Sequence, residues 1–524
     1  MLNDALDTRF GRREFLAAAA GSVAALATPP GTAHAEPAEP RIREPRSVGS
    51  RKQLFIDRRF IAASENVTLT LNPAQKLGIV LDSEKEPWEH GTGGYFRVIE
   101  DGCKFKLYYG AFTDAGHSLC YAESSDGLRW TKPALGLVAV NGSKQNNIII
   151  ADNAIDATIM VDPKDVPERR YKVFRSRVAN DAGAGVYAAY SADGIHFTDA
   201  GRVLPMWPET SLIADWDPRV GKYVVFLRVF ERDVENQRRV ARFETDDLLK
   251  PWPFKPTEPL RSPPSPANIP AVLAADELDD PFTDFYTGGA HRYSPAEDVY
   301  LMFPSPFRHF ASSRQPWFRY EPGNEYGLIE VQMAVSRDGI HWERPDRRPY
   351  VPMGLPDEWD RWLNMMGVGM VRRGSYLYQY YWSSGRTHDS GILRPEYDQS
   401  VSTKSAIGAV RQRLDGFISA DFAYGGGALT TPPLLFTGSQ LRLNVDTGGM
   451  GTAFVEIRDL QGKPIPGFTR ADCEEIGGNF VDTLVRWKGK SDLTALRGQP
   501  VTLHFAARGT KLYAFEFAEA RAPK

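Results

Sequence analysis

Four carboxylates, Glu89, Asp156, Glu209 and Asp284, stand at matching places along this chain. Each lies just before, or at the start of, a β-rich run: Trp88-Glu89-His90, Asp156 ahead of Ala157-Thr158-Ile159, Glu209 ahead of Thr210-Ser211-Leu212, and Thr283-Asp284-Phe285-Tyr286. A fifth run has Asn364, an amide, in the same place. Acids this far apart act together only if the fold brings the strand starts to one mouth. The chemistry that suits such a ring is cleavage of a glycosidic bond. One carboxyl protonates the leaving oxygen and a second attacks the anomeric carbon or activates water. A third raises the acid's pKa by like-charge repulsion. In that scheme Glu209 is the general acid and Glu89 the base or nucleophile. Asp156 orients the sugar or tunes the acid, and Asp284 is a reserve for any of these roles. Trp88 and Tyr286 offer aromatic faces to a sugar, and His90, Asp57 and His388 are further candidates for the rim. For any one of the acids the plainer reading is an exposed turn carboxylate or a turn cap.

What would gather them is a repeat. Ser125-Asp126-Gly127-Leu128-Arg129-Trp130 returns as Ser191-Ala192-Asp193-Gly194-Ile195-His196-Phe197 and as Ser336-Arg337-Asp338-Gly339-Ile340-His341-Trp342. Degenerate copies stand at Asp246-Asp247 and at Leu414-Asp415-Gly416-Phe417. An Asp-Gly pair marks a tight turn, because glycine accepts the positive φ such turns need. Each copy follows a β-rich run, and a meander that ends five times in one turn reads as a radial repeat. The expected fold is all-β: a five-bladed β-propeller over residues 52–427, then a C-terminal antiparallel β-sandwich over 428–524, where strands alternate with period two. Residues 53–61 are read as the strand that closes the ring. Asp126, Asp193 and Asp338 read as structural caps, and Asp162 and Asp217, each before proline, as turn starters.

The composition agrees. The chain has 524 residues, a net charge of −3 from mixed charges, 46 Gly and 38 Pro, and its 11 Trp, 21 Tyr and 28 Phe favour a turn-rich β protein over a helical one. No basic field points to nucleic acid or to an anionic membrane. At the N-terminus Gly11-Arg12-Arg13-Glu14-Phe15-Leu16 opens an apolar run, and Ala33-His34-Ala35 supplies a small-x-small cleavage site. Residues 1–35 therefore read as a twin-arginine signal peptide, and a periplasmic or secreted location is expected. Residues 36–51, rich in Pro, Glu and Arg, read as a linker. No run is long enough to span a bilayer, so no membrane span is expected in the mature chain. The nine histidines show no pair at metal-ligand spacing, so no metal or cofactor is assigned; a structural calcium stays open. Cys103 and Cys120 fall on neighbouring expected strands. A disulfide and two buried thiols are both open, with the thiols the plainer reading.

Several stretches resemble bacterial exported proteins described as glycoside hydrolase family 32-like. They are Leu54-Phe55-Ile56-Asp57, Pro87-Trp88-Glu89, Tyr121-Ala122-Glu123-Ser124-Ser125-Asp126-Gly127-Leu128-Arg129-Trp130, Pro167-Glu168-Arg169-Arg170-Tyr171-Lys172, Trp216-Asp217-Pro218-Arg219, Leu414-Asp415-Gly416-Phe417 and Leu512-Tyr513-Ala514-Phe515. The resemblance covers nearly all of the mature chain. It implies a five-bladed propeller with a C-terminal sandwich and an exported hydrolase of oligo- or polysaccharides. Family 32 enzymes cleave fructosyl bonds with retention. Their first-blade nucleophile is an aspartate, where this chain has Gly91 in Trp88-Glu89-His90-Gly91. Their Glu-Cys acid motif is also absent, with Glu209 the nearest equivalent. These departures leave room for inverting arabinanase-like propellers, which use an Asp, Asp, Glu set, and for a glycan-binding propeller without catalysis. A lyase or phosphorolytic chemistry on the same frame is the third reading.

Overall fold

The structure, a computed structural model, describes residues 44–82, 86–151, 154–177, 183–208, 212–231, 237–254, 269–280, 283–296, 298–309, 327–388 and 405–520. The expected signal peptide and Glu209 lie outside these residues. All described regular structure is β apart from the short 3₁₀ turns Arg58–Phe60, Pro167–Arg169 and Thr494–Leu496.

Four antiparallel sheets of four strands follow one another along the chain in plain meander order. The first is Glu89–Asp101, Lys104–Thr113, Gly116–Ser124 and Ile148–Ile150. The second is Thr158–Val161, Tyr171–Arg177, Gly185–Ser191 and Thr198–Leu204. The third is Ile213–Asp217, Lys222–Glu231, Gln237–Thr245 and Ala271–Leu273. The fourth is His291–Arg292, Tyr300–Met302, Ala334–Ser336 and Trp342–Glu343.

A second ladder, Thr283–Phe285, Pro306–His309 and Gly327–Ile329, continues the fourth sheet beyond a break. The break falls where Gly289 takes φ +57° close against the carbonyl of Phe303. This ladder joins the fifth sheet through a parallel bridge from Ile329 to Leu363. The fifth sheet runs Leu363–Met366, Tyr376–Ser384, Ala406–Arg413 and then Gln75–Asp82. The N-terminal segment thus supplies the last strand of the last meander.

Strands with two buried faces read as nearly continuous apolar runs. In Lys104–Thr113 one face carries Phe105, Leu107, Tyr109 and Ala111, which pack with Leu81, Val371, Tyr380 and Ile407 of the fifth sheet. The other face carries Tyr108, which packs with Tyr121, Ile159 and Tyr171 toward the second. Each such side chain contributes about 1.5–3 kcal/mol by leaving water. The first strands of the sheets also adjoin. Glu89–Asp101 touches Thr158–Val161, Thr158–Val161 touches Ile213–Asp217, and Ile213–Asp217 touches His291–Arg292. Val371–Arg373 and Tyr376–Ser384 of the fifth sheet touch Glu89–Asp101.

The recurring turn is built the same way three times. The hydroxyl of Ser124 accepts from the amides of Asp126 and Gly127, and Asp126 Oδ1 accepts from the amides of Leu128 and Arg129 at 2.8 Å. Ser191 with Asp193, and Ser336 with Asp338, repeat the pattern. Gly127, Gly194 and Gly339 have φ of +78°, +81° and +75°, as the Asp-Gly signal requires. Asp162 and Asp217, read as turn starters, each accept the amide two residues on, that of Lys164 at 2.8 Å and of Arg219 at 2.9 Å.

The remaining strands form two further antiparallel sheets over one apolar core. One holds Asn479–Leu484, Gln440–Asp446, Thr510–Ala518, Ile418–Phe422 and Val67–Leu71, with Lys52–Leu54 paired to Thr510–Ala518. The other holds Ala63–Glu65, Gly427–Thr430, Thr502–Arg508 and Thr452–Arg458. Phe55, Phe60, Leu443, Val455, Phe505 and Phe515 lie in the core they share. Three expectations change here. Residues 53–61, read as the closing strand, join none of the five meanders; Gln75–Asp82 supplies the last strand of the fifth. The strands at 52–54, 63–65 and 67–71, read as propeller, pair with C-terminal strands instead. Arg46–Gly49, read as linker, is a strand parallel to Leu434–Phe436. Cys120 is a buried thiol, but Cys103 is exposed and unbridged.

Candidate functional site

Asp156 stands in the turn two residues before Thr158–Val161 and is buried. Its Oδ1 accepts the Ser176 amide at a long 3.4 Å. No cation is among the causes acting on it, so desolvation raises its pKa to about 6, against 3.8 for the free side chain. A carboxyl with this setting keeps its proton into the mildly acidic range, as a proton donor must.

Glu89 opens the first strand of the first sheet, as expected, but its side chain turns into the sheet's packed face. Its Oε2 accepts from the Tyr109 hydroxyl at 3.0 Å and from Lys132 Nζ at 2.9 Å, while Oε1 is buried with no partner among the described residues. Trp88 belongs to the same cluster: its indole N–H donates to Asn147 Oδ1 at 3.2 Å, and the Asn147 amide donates to Tyr109. Burial outweighs the single ammonium, so the pKa of Glu89 is raised. The setting is that of an interior ion pair between the first and fifth sheets.

Asp284, in Thr283–Phe285, is buried as well. Its Oδ2 receives the Arg238 guanidinium at 3.0 Å, the Arg238 amide at 3.3 Å and His309 Nε2 at 3.3 Å. Its Oδ1 is buried with no partner among the described residues. Desolvation pushes its pKa up, but His309 and Arg238 together push harder the other way, and the net shift is down. Asp284 is therefore an ionised carboxylate with one oxygen held and one unoccupied.

Tyr286 and His388 meet beside it: His388 Nε2 lies 3.0 Å from the Tyr286 hydroxyl, and both rings pack against Phe307. The Arg228 guanidinium stacks over the Tyr286 ring at 4.2 Å. A cavity of about 20 Å³, room for about one water, is lined by Gly94, Arg228, Arg239, Tyr286 and Met366. A Cβ at Gly94 would lie 2.0 Å from Met365 Cε, so the tip of that side chain would have to move aside.

The other candidates are placed elsewhere. Asp57 caps the turn Arg58–Phe60 and forms a two-point ion pair with Arg337 at 2.8 and 3.0 Å, which locks the N-terminal segment to the third Asp-Gly turn. It is a fastening residue and not a rim group. His90 is exposed and pairs with Asp114 at 2.5 Å. Of the nine sequence candidates, the structure brings together Asp284, Tyr286 and His388, and it joins Trp88 to Glu89. Arg228, Arg238 and His309 were not foreseen; arginines inside a long β-run, as in Gln237–Thr245, were the available signal. Among the described residues no group of three or more His, Cys, Asp or Glu side chains is placed to hold a metal ion. No helix among them is long and apolar enough to cross a membrane.

No family model and no curated protein sequence matches the chain. Among solved structures, one titled a glycoside hydrolase is similar at 14% identity and a TM-score of 0.42, over 66% of this chain and 93% of that one. A thermostable family-43 glycoside hydrolase is similar at 16% identity and a TM-score of 0.40, over 64% and 95%. An N-acetylgalactosamine deacetylase from F. plautii, in complex with blood group B trisaccharide, is similar at 14% and 0.40, over 67% and 96%.

Proposed function

We propose that the chain is an exported glycoside hydrolase that cleaves an oligo- or polysaccharide, built as a five-bladed propeller with a C-terminal sandwich. Five successive meanders support the ring: the first strands of the first four adjoin in order, and the fifth, completed by Gln75–Asp82, touches Glu89–Asp101. The export reading rests on the Arg12-Arg13 signal and the cleavage site at Ala33-His34-Ala35.

One observation carries the chemistry. Two buried carboxyls near strand starts have opposite settings: Asp156 is raised to about 6 by burial, and Asp284 is held ionised by Arg238 and His309. Acid and base roles are assigned by such divergence. Asp156 donates the proton to the leaving oxygen. Asp284, through its unpartnered Oδ1, attacks the anomeric carbon or takes the proton of the attacking water. Tyr286 offers a ring edge, and Glu209 remains the third acid. Glu89, tied to Lys132, leaves the catalytic set. The test is hydrolysis of an aryl glycoside panel by the full chain. Asp156→Asn and Asp284→Asn are each expected to lower kcat by about 100-fold or more. The Asp156→Asn loss shrinks on a dinitrophenyl leaving group, which needs no proton. Unchanged rates in both variants sink the assignment.

The burial of Glu89 with Lys132 favours a second reading, a glycan-binding propeller without catalysis. Retention on a glycan column with no released product is its signature.

A further inference from the structure

Toward the C-terminal ends of the first strands, away from the candidate acids, lies a cavity of about 590 Å³. That is the size of a small-ligand site. Arg97, Asp215, Trp216, His291, Arg292 and Arg372 are among its lining residues. We propose that it is a second binding site, one that takes a ligand of one to three rings bearing carboxylates.

The polar groups divide into spent and unspent. Arg97 Nη2 is paired with Asp215 at 2.6 Å. The Arg292 side chain has no ion-pair or hydrogen-bond partner among the described residues, and the Arg372 guanidinium bonds there to the carbonyl of Gly374 at 3.3 Å. These two arginines also line a neighbouring cavity of about 570 Å³, so they stand at a shared boundary that a longer ligand can straddle. The Arg97–Asp215 pair is neutral overall. Glu100 sets one negative charge against Arg292 and Arg372, which leaves the cavity net positive.

His291 is only 8% exposed, and its Nε2 has no partner among the described residues. Burial keeps its imidazole neutral, with a pKa lowered to about 4. A neutral, unpaired ring nitrogen buried in a cavity wall costs stability unless a ligand or water meets it. Trp216 and Pro163 supply apolar wall for a ring face. Forked guanidinium donors match a carboxylate better than a hydroxyl. None of these residues belongs to the proposed hydrolytic set, so the site stands or falls independently of that reading.

The probes are trigalacturonate, tricarballylate and neutral maltotriose, titrated calorimetrically into the full chain. Trigalacturonate is expected to bind and maltotriose not. The variant R292A/R372A weakens trigalacturonate by about tenfold or more, the loss of charge-assisted hydrogen bonds, with melting temperature unchanged. If that variant does not fold, Arg372→Glu on its exposed side chain gives the same loss. Binding that persists in D156N/D284N separates this site from the hydrolytic one. Equal binding of tricarballylate supports the site and identifies the carboxylates alone as the recognised group. No heat from either acid, or an affinity unchanged in R292A/R372A, overturns the proposal.

Discussion

The pockets of Glu89 and Asp284 are built from similar parts and shift their carboxyl pKa values in opposite directions. Each encloses a buried carboxylate with one oxygen paired and the other without a partner among the described residues. Glu89 has one ammonium, Lys132, and a phenol, Tyr109. Asp284 has a guanidinium, a backbone amide and the His309 imidazole. The first pKa is raised and the second lowered. Asp156, which has no cation, extends the series to its limit, at about 6. The Lys132 ammonium does not offset the cost of taking Glu89 out of water; at Asp284 a guanidinium, a backbone N–H and an imidazole together do. Burial alone therefore says little about which acid works as base. The number of donors aimed at it decides.

The largest expected effect tests the single-cation pocket. Lys132→Met leaves Glu89 buried without its cation and is expected to cost about 3–5 kcal/mol in urea unfolding at pH 8. At pH 5 the loss is expected to shrink, because removing the cation raises the Glu89 pKa further and lower pH favours its neutral form. An equal loss at both pH values breaks the comparison. Lys132→Met/Glu89→Leu should be more stable than Lys132→Met alone.

The next effect concerns Asp156. Its pKa is about 6 in the folded chain against 3.8 free, so between these values the folded state holds a proton that the unfolded state has lost. Stability therefore falls as pH rises through that window, by about 3 kcal/mol in all. Asp156→Asn removes this fall, which unfolding measured at pH 4, 5, 6 and 7 will read. Asp284 has the opposite sign. Its stabilisation is present above the ordinary carboxylate pKa and is lost as pH falls through its lowered folded value.

A smaller change sharpens the series. His309→Gln removes the imidazole from Asp284 and is expected to cost about 1 kcal/mol, with the Asp284 carboxyl titrating higher by NMR. An unmoved titration would show that Arg238 alone sets its charge.

A local difference lies in the turns. Gly194→Ala puts a Cβ 2.3 Å from the Tyr108 hydroxyl at φ +81°, whereas Gly201→Ala, at φ +95°, meets nothing within 4 Å. The first should cost about 1–3 kcal/mol more than the second in thermal unfolding, the ordinary range for overpacking.

How much was legible follows from the range of the bonds involved. The Ser-x-Asp-Gly turns were readable because every bond that makes them spans two or three residues. The meanders were readable because their strands keep two buried faces. The closing strand was not: Gln75–Asp82 is an outer strand with Leu77 and Ile79 exposed, so its pattern is weak beside that of residues 53–61. Those residues read as apolar strand because they are buried on both sides: Phe55, Phe60 and Ile61 enter the core shared by the C-terminal sheets, and Leu54 and Ile56 pack with Leu301, Val331 and Val410 of the meanders.

By itself, then, the sequence determined the all-β class, the repeated turn and the approximate starts of the strands, since short-range hydrogen bonding and period-two burial are encoded locally. Tertiary structure alone decided the company each acid keeps. Lys132 reaches Glu89 from 43 residues away, and Arg238 reaches Asp284 from 46. Asp57 meets Arg337 across 280 residues. A carboxylate's charge depends on the donors within a few ångströms, and separation along the chain says nothing about that distance until the sheets have packed.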